Sequence, residues 1–97
     1  MIISPTIGRK VWFRPNGVVF NNKPFIIIDS KQPLDATVVY VFTDRMVNLL
    51  VIDHMGVAHI VTSCTMKQSG DVISQGCYCE WMPYQTAQAK KEADTKQ

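Results

Sequence analysis

Three apolar runs in close order dominate the middle of the chain: Ala36 to Phe42, Val47 to Asp53 and Val57 to Thr62. Each is rich in β-branched and aromatic residues and too short for a helix, so each predicts a strand. Thr43-Asp44-Arg45-Met46 joins the first two and His54-Met55-Gly56 the last two. Both are hairpin-length connections, and a glycine near the end of the second suits a bulged turn, so the three runs predict an antiparallel meander. In the middle run Val47, Leu49 and Val51 alternate with Asn48, Leu50 and Ile52, and in the run before it Val38, Tyr40 and Phe42 oppose Val39 and Val41. Apolar residues therefore occupy both faces. That pattern fits a central strand covered on both sides, or a strand of a curled small barrel whose outer face meets a helix or another subunit.

Shorter signals flank the meander. Lys10 to Phe13 predicts a first strand, ended by Arg14-Pro15-Asn16-Gly17, where proline presets one corner and glycine accepts the positive φ that closes such turns. Gly17 to Phe20 and Pro24 to Asp29, parted by Asn21-Asn22-Lys23, predict a hairpin-like excursion, and Gln32-Pro33-Leu34-Asp35 punctuates before the meander. After Met66, the polar Lys67-Gln68-Ser69-Gly70-Asp71 predicts a mobile loop and Cys77 to Met82 a last short strand. Pro83 suits the first position of a helix, where its missing N–H costs nothing. The tail from Tyr84 to Gln97 has no apolar face after Tyr84 and predicts a solvated helix or a frayed end. The expected architecture is mainly β, a small antiparallel SH3-like barrel of five to six strands over residues 1–85, with a polar helical or frayed tail over 86–97. Closure is what a sheet protein this small needs to avoid open edges.

Composition narrows the function classes. At 97 residues the chain is one domain, burying roughly 60–65% of its unfolded surface, too little for a second cofactor fold. A hydrophobic fraction of 46% with 19% charged residues is globular. The formal charge of +2 lacks the basic stripe of a general duplex-DNA binder. The opening Met1-Ile2-Ile3-Ser4-Pro5 has no secretory pattern, and no run approaches the ~20 residues of a membrane helix, so a cytosolic protein without membrane contact is expected. Three cysteines, Cys64, Cys77 and Cys79, form an odd set that reads as free thiols.

No constellation completes a catalytic signature. Cys64, Cys77 and Cys79 with His54 or His59 offer zinc-type donors, but one C-x-C pair with a lone cysteine is not the spacing of two metal knuckles, and ordinary buried thiols explain them. Ser63 or Cys64 can be drawn with His59 or His54 and Asp53 as a triad, yet no strained nucleophile turn is present. The glycines are scattered, which leaves no phosphate-cradling loop, and the carboxylates are spread singly. A non-enzymatic protein needing no metal or cofactor is expected. Two aromatic patches remain. In Arg9-Lys10-Val11-Trp12-Phe13-Arg14, an extended chain puts Lys10, Trp12 and Arg14 on one face, where indole stacks on a base and guanidinium meets phosphate. Cys79-Glu80-Trp81-Met82-Pro83-Tyr84 is the second. For both, the alternative is packing into the core. Up to Gln85 there are seven basic and six acidic residues, and three of the seven, Arg9, Lys10 and Arg14, fall within six positions around Trp12.

The opening Pro5-Thr6-Ile7-Gly8-Arg9-Lys10-Val11-Trp12-Phe13-Arg14-Pro15, the central Leu34-Asp35-Ala36-Thr37 with Val47-Asn48-Leu49, the Asp53-His54-Met55-Gly56 turn and the closing Glu80-Trp81-Met82-Pro83-Tyr84-Gln85 resemble a family of small, mostly uncharacterised proteins of tailed bacteriophages and prophages. The resemblance spans nearly the whole chain and omits the cysteines. It implies an accessory product acting in the host bacterial cytoplasm, and by analogy with such proteins a binder: one that sequesters a nucleotide-type immune signal to counter host defence. On that reading Arg9, Lys10, Arg14 or Arg45 holds phosphate, Trp12, Trp81 or Tyr84 stacks a base, and Asn48, Asp53, His54 or His59 reads ribose or base edges. A pocket between subunits of a homo-oligomer is natural for so small a domain. The alternative is an SH3-like module that contacts a host or phage protein, or single-stranded nucleic acid, through the same aromatics.

Overall fold

A computed structural model describes residues 2–72 and 76–95. Five strands, β1 (Lys10–Arg14), β2 (Leu34–Thr43), β3 (Met46–Ile52), β4 (Ala58–Lys67) and β5 (Tyr78–Glu80), close into a barrel in sequence order, and α1 (Pro83–Thr95) follows. The mainly β barrel and the central meander are as the apolar runs predict. Four seams are antiparallel, whereas β4 and β5 run parallel through Met66↔Cys79 and Lys67↔Glu80. Parity explains the exception: directions that alternate around a ring cannot alternate an odd number of times.

Inward residues build the core: Val11 and Phe13 from β1, Leu34, Ala36 and Val38 from β2, Val47, Leu49 and Val51 from β3, Val61, Cys64 and Met66 from β4, Cys79 from β5, and Trp81 beyond it. Strict alternation breaks twice. The β2–β3 register shifts between Val38 and Tyr40, so Val39 and Tyr40 both point out before Val41 turns back toward the core. In β4 both Thr62 and Ser63 are exposed between buried Val61 and Cys64, opposite a register shift at Asn48. Ser63 takes a left-handed φ of 52°, and its N–H donates to Asn48 Oδ1 at 2.8 Å. Such bulges bend strands and help a short sheet curl shut.

The predicted excursion over 17–29 does not become a strand pair. Its only pairing among the described residues is one bridge, Phe20↔Lys23, across Asn21 and Asn22, both at φ 55°. The following Ile26 and Ile28 give their N–H groups to the side chains of Asp53 and His54 instead of to a neighbouring strand. The last strand is also shorter than predicted, because Trp81 turns into the core and α1 starts at Pro83. That start places Pro83 to Gln85 in the helix rather than in the barrel. Gln85 Oε1 accepts the Met82 N–H at 2.8 Å, reaching back over the first turn to satisfy a donor the helix leaves open. No helix among the described residues is long and apolar enough to cross a membrane.

The stretch 67–71, predicted as a mobile loop, contains one of the most deeply buried polar side chains. Gln68 is 1% exposed and uses its whole amide: Oε1 accepts from Ile3 N–H and Trp81 Nε1–H, and Nε2 donates to the Ile3 and Asp44 carbonyls at 3.0 and 2.7 Å. It thereby ties the N-terminal segment, the β2–β3 turn and the end of β5 together. Gln68→Ala leaves these groups unpaired and is expected to lower stability by about 2–4 kcal/mol. Urea denaturation checks this against Gln32→Ala, an exposed glutamine whose loss should stay within about 0.5 kcal/mol.

Candidate functional site

Strand β1 places Lys10, Trp12 and Arg14 on the outer face, as its alternation predicts, with Val11 and Phe13 inside. Trp12 is half-buried on that face rather than in the core, and the Arg14 guanidinium lies 5.8 Å from its ring centre. The neighbouring strands neutralise the cations. Trp12 is in register with Asp35 on one side and Glu80 on the other, and Lys10 pairs with Asp35 at 3.2 Å while Arg14 pairs with Glu80 at 2.9 Å. Two cations and two carboxylates leave this face without net charge.

Arg9 sits differently. It follows the turn Thr6 to Arg9, in which Gly8 takes φ 94°, and its carbonyl accepts from Val38 N–H, which anchors the backbone beside β2. Its guanidinium lies over the Trp81 ring at 5.2 Å and forms no ion pair among the described residues. Beside it is a cleft of about 200 Å³ lined by Ile3, Arg9, Tyr84, Gln85, Gln88 and Ala89. Tyr84 is 72% exposed there, and Gln85 Nε2 donates to the Lys10 carbonyl at 2.9 Å, which pins the first turn of α1 against β1. A second cleft, about 310 Å³, opens on the other flank of that turn, lined by residues including Lys67, Gly70, Glu80, Trp81 and Thr86.

The remaining candidates are occupied elsewhere. Trp81 is 5% exposed with its N–H committed to Gln68, so it supports Arg9 from beneath and offers no face to a base. Arg45 grips Asp71 through Nε and Nη2 at 3.0 and 3.1 Å, and that carboxylate raises the guanidinium's pKa. Asn48 holds the β4 bulge. His54 accepts Ile28 N–H on Nδ1, so its proton is on Nε2, directed to the Pro33 carbonyl at 3.3 Å. His59 is buried, its ring packed at a tilt of 37° against Phe25 with centroids 4.5 Å apart, and its Nε2–H donates to Asp53 Oδ2 at 2.8 Å. Asp53 also accepts from Ile26, Met55 and Val57 N–H. Burial alone raises this carboxyl, but the His59 donor and the three backbone donors overcome it and hold the group well below the usual carboxylate range. These groups fasten the 25–33 segment to the β3–β4 turn.

Neither histidine meets Ser63 or Cys64 in the geometry a triad requires. Cys64 instead directs its thiol to the Thr65 carbonyl at 3.6 Å, which the Cys79 thiol also approaches at 3.5 Å, and the neighbouring Cys79 thiol together with burial pushes the Cys64 pKa up. Among the described residues no group of three or more His, Cys, Asp or Glu side chains is arranged to hold a metal ion. Ile3, Gln85 and Gln88 escape the sequence reading of the site. Only Gln85, inside the closing motif, carried any signal.

No family model, curated protein or solved structure matches the chain.

The Asp53 network makes stability depend on pH with a definite sign. A carboxyl depressed in the folded state contributes stability that is complete above its unfolded pKa of about 4 and lost as pH falls toward the folded value. Asp53→Asn is expected to cost about 3 kcal/mol at neutral pH. Below pH ~4 the gap between wild type and variant should narrow by about 1.4 kcal/mol per pH unit, measured by urea denaturation across a pH series.

Proposed function

We propose that this protein is a non-enzymatic phage accessory protein that binds a nucleotide-type ligand in the Arg9–Tyr84 cleft and, by sequestering it, counters host antiviral defence. One observation carries the reading: Arg9, held over Trp81 and without a carboxylate partner among the described residues, shares a cleft with an exposed tyrosine ring. A guanidinium presents a planar donor fork to phosphate, and a phenol ring offers a surface on which a base stacks. The segments that carry the phage resemblance also meet here, because β1 pairs with β5 and Gln85 bonds Lys10. Of the eleven residues the sequence suggested, the site keeps Arg9 and Tyr84 as contacts and Trp81 as the support of Arg9. A volume of 200 Å³ is below the usual range for a whole ligand, so this cleft takes one phosphate on Arg9 and one base face on Tyr84.

The alternative, an SH3-like module that contacts a protein, is favoured by a different observation: large apolar side chains on the outer sheet, Tyr40, Phe42 and Ile60 among them, are at least half exposed.

Thermal unfolding with a panel of cyclic and NAD-derived nucleotides tests the first reading. A true ligand at one hundred times its Kd stabilises by about 2.7 kcal/mol, a rise in Tm on the order of 10 °C for a domain this small. Arg9→Ala and Tyr84→Ala should remove the rise while leaving the unliganded Tm nearly unchanged. Ligand recovered intact after denaturation supports sequestration, and altered ligand supports an enzyme. No stabilisation by any nucleotide abandons both for a macromolecular partner.

A further inference from the structure

We propose that the outer face of β2–β3–β4 is a self-association surface on which a second copy of this chain packs sheet against sheet. The observation begins with register. Leu50 on β3 lies opposite Thr37 on β2 and Ile60 on β4, Tyr40 lies opposite Asn48, and Met46 lies between Thr43 and Thr65. The bulge after Val38 adds Val39 to the outward set, and the Tyr40 and Phe42 rings pack edge to face with centroids 4.9 Å apart. Six large apolar side chains are thereby left on the surface: Val39 44%, Tyr40 52%, Phe42 50%, Met46 39%, Leu50 39% and Ile60 63% exposed.

The face carries almost no charge. Along all three strands the only formally charged residues are Asp35, second in β2, and Lys67, last in β4. They stand at opposite ends of the sheet. A two-fold axis running across the strands, in the plane between two facing sheets, brings the Asp35 end of one copy to the Lys67 end of the other. The remaining charges, Lys10 beside Thr37, Lys23 on the Ala58 carbonyl and the Asp44-Arg45 turn, stand at the margins of the six apolar side chains.

The area suits a dimer. The six side chains expose about 500 Å² of apolar surface in total, at the upper end of what a monomer tolerates in one patch. Homodimer interfaces are about 65% apolar and a standard one covers roughly 800 Å² per partner, so a second copy that covered all of this apolar area would reach that size. Uncharged polar residues fill the positions between the six side chains: Asn48 between Met46 and Leu50 on β3, Thr37 beside Leu50 on β2, and Thr65 beside Met46 on β4. The mode is restricted as well. The middle strand, β3, is laddered on both sides by β2 and β4, so a partner meets the centre of this face through its side chains and not through an open strand edge.

None of these residues lines the Arg9 cleft, so the two proposals fail separately. Sedimentation equilibrium of the full chain, from low to high micromolar concentration, is the test. Wild type is expected to dimerise in this range. Tyr40→Lys and Ile60→Lys are each expected to raise the dimer dissociation constant at least tenfold, and together to give a monomer. Both side chains are more than half exposed, so the barrel survives the changes, and an unaltered Trp fluorescence spectrum and Tm verify it. Val19→Lys, exposed on the 17–29 segment, should leave the dimer intact. A wild type that stays monomeric throughout overturns the proposal and leaves the face to a different protein. A dimer that persists in the double variant also overturns it, by placing the contact elsewhere.

Discussion

A ring of five strands cannot be antiparallel throughout, and the rest of this structure follows from where the parallel seam falls. It falls between β4 and β5, the shortest strand, with three residues and two paired positions along that seam. So short a ladder supplies little cohesion of its own. Its ends are held by side chains: Arg14 grips Glu80 from β1, and Gln68 at the end of β4 binds the Trp81 indole just past β5. The same Gln68 amide reaches Ile3 and Asp44, so closure, the N-terminal segment and the β2–β3 turn share one buried group. A single apolar replacement at Gln68 would leave all of these groups unpaired. The half-buried pair Arg14–Glu80 is the outer counterpart of this clamp, and it consumes a cation that the sequence alone offers to a ligand.

The meander was legible because its signals are local: β-branched runs of strand length, hairpin-length connections, and a glycine in the second turn. Barrel closure was legible from a general constraint on small sheets. Phase was not. One extra residue near Val39, and the paired outward residues Thr62 and Ser63, invert which side chains face the core, and nothing in the runs themselves marks these positions. Gln68 was hidden for a different reason. A glutamine among Lys67, Ser69, Gly70 and Asp71 has the composition of a solvated loop, and only the convergence of Ile3, Asp44 and Trp81, all distant in sequence, makes it a core residue. The run Pro24 to Asp29 misled in the opposite direction, since its strand-like composition is met by the acceptors of Asp53 and His54 rather than by a strand.

The candidate site shows how clustering in sequence differs from clustering in space. Arg9, Lys10 and Arg14 stand close along the chain, but alternation sends Lys10 and Arg14 to a face where adjacent strands deliver Asp35 and Glu80. A potential for phosphate therefore does not accumulate on the Trp12 face. Arg9, one residue before the strand, has no carboxylate partner among the described residues; its guanidinium leans on Trp81 and faces the uncharged first turns of α1. Asp53, His54 and His59 look chemically rich in sequence for the same reason that they are structurally useful. A carboxylate and two imidazoles accept or donate hydrogen bonds that an irregular segment cannot make within a sheet. The other ring nitrogen of His59, Nδ1, is buried without a hydrogen-bond partner among the described residues.

The two apolar faces of β2 and β3 have separate physical causes. The inner one is the core: Val38, Val47, Leu49 and Val51 are fully buried and removing any of them would open a cavity. The outer one is not required by folding. Tyr40, Phe42 and Ile60 keep half or more of their surface in water, so they return little hydrophobic stabilisation to the isolated barrel, and threonine would meet the same strand preference without exposing apolar area. Core packing thus accounts for one side of each strand and leaves the other without a reason internal to the domain. An uncharged apolar face on the outside of a barrel gains hydrophobic stabilisation only when another surface covers it, so the pattern on this side is the one that the proposed self-association would account for.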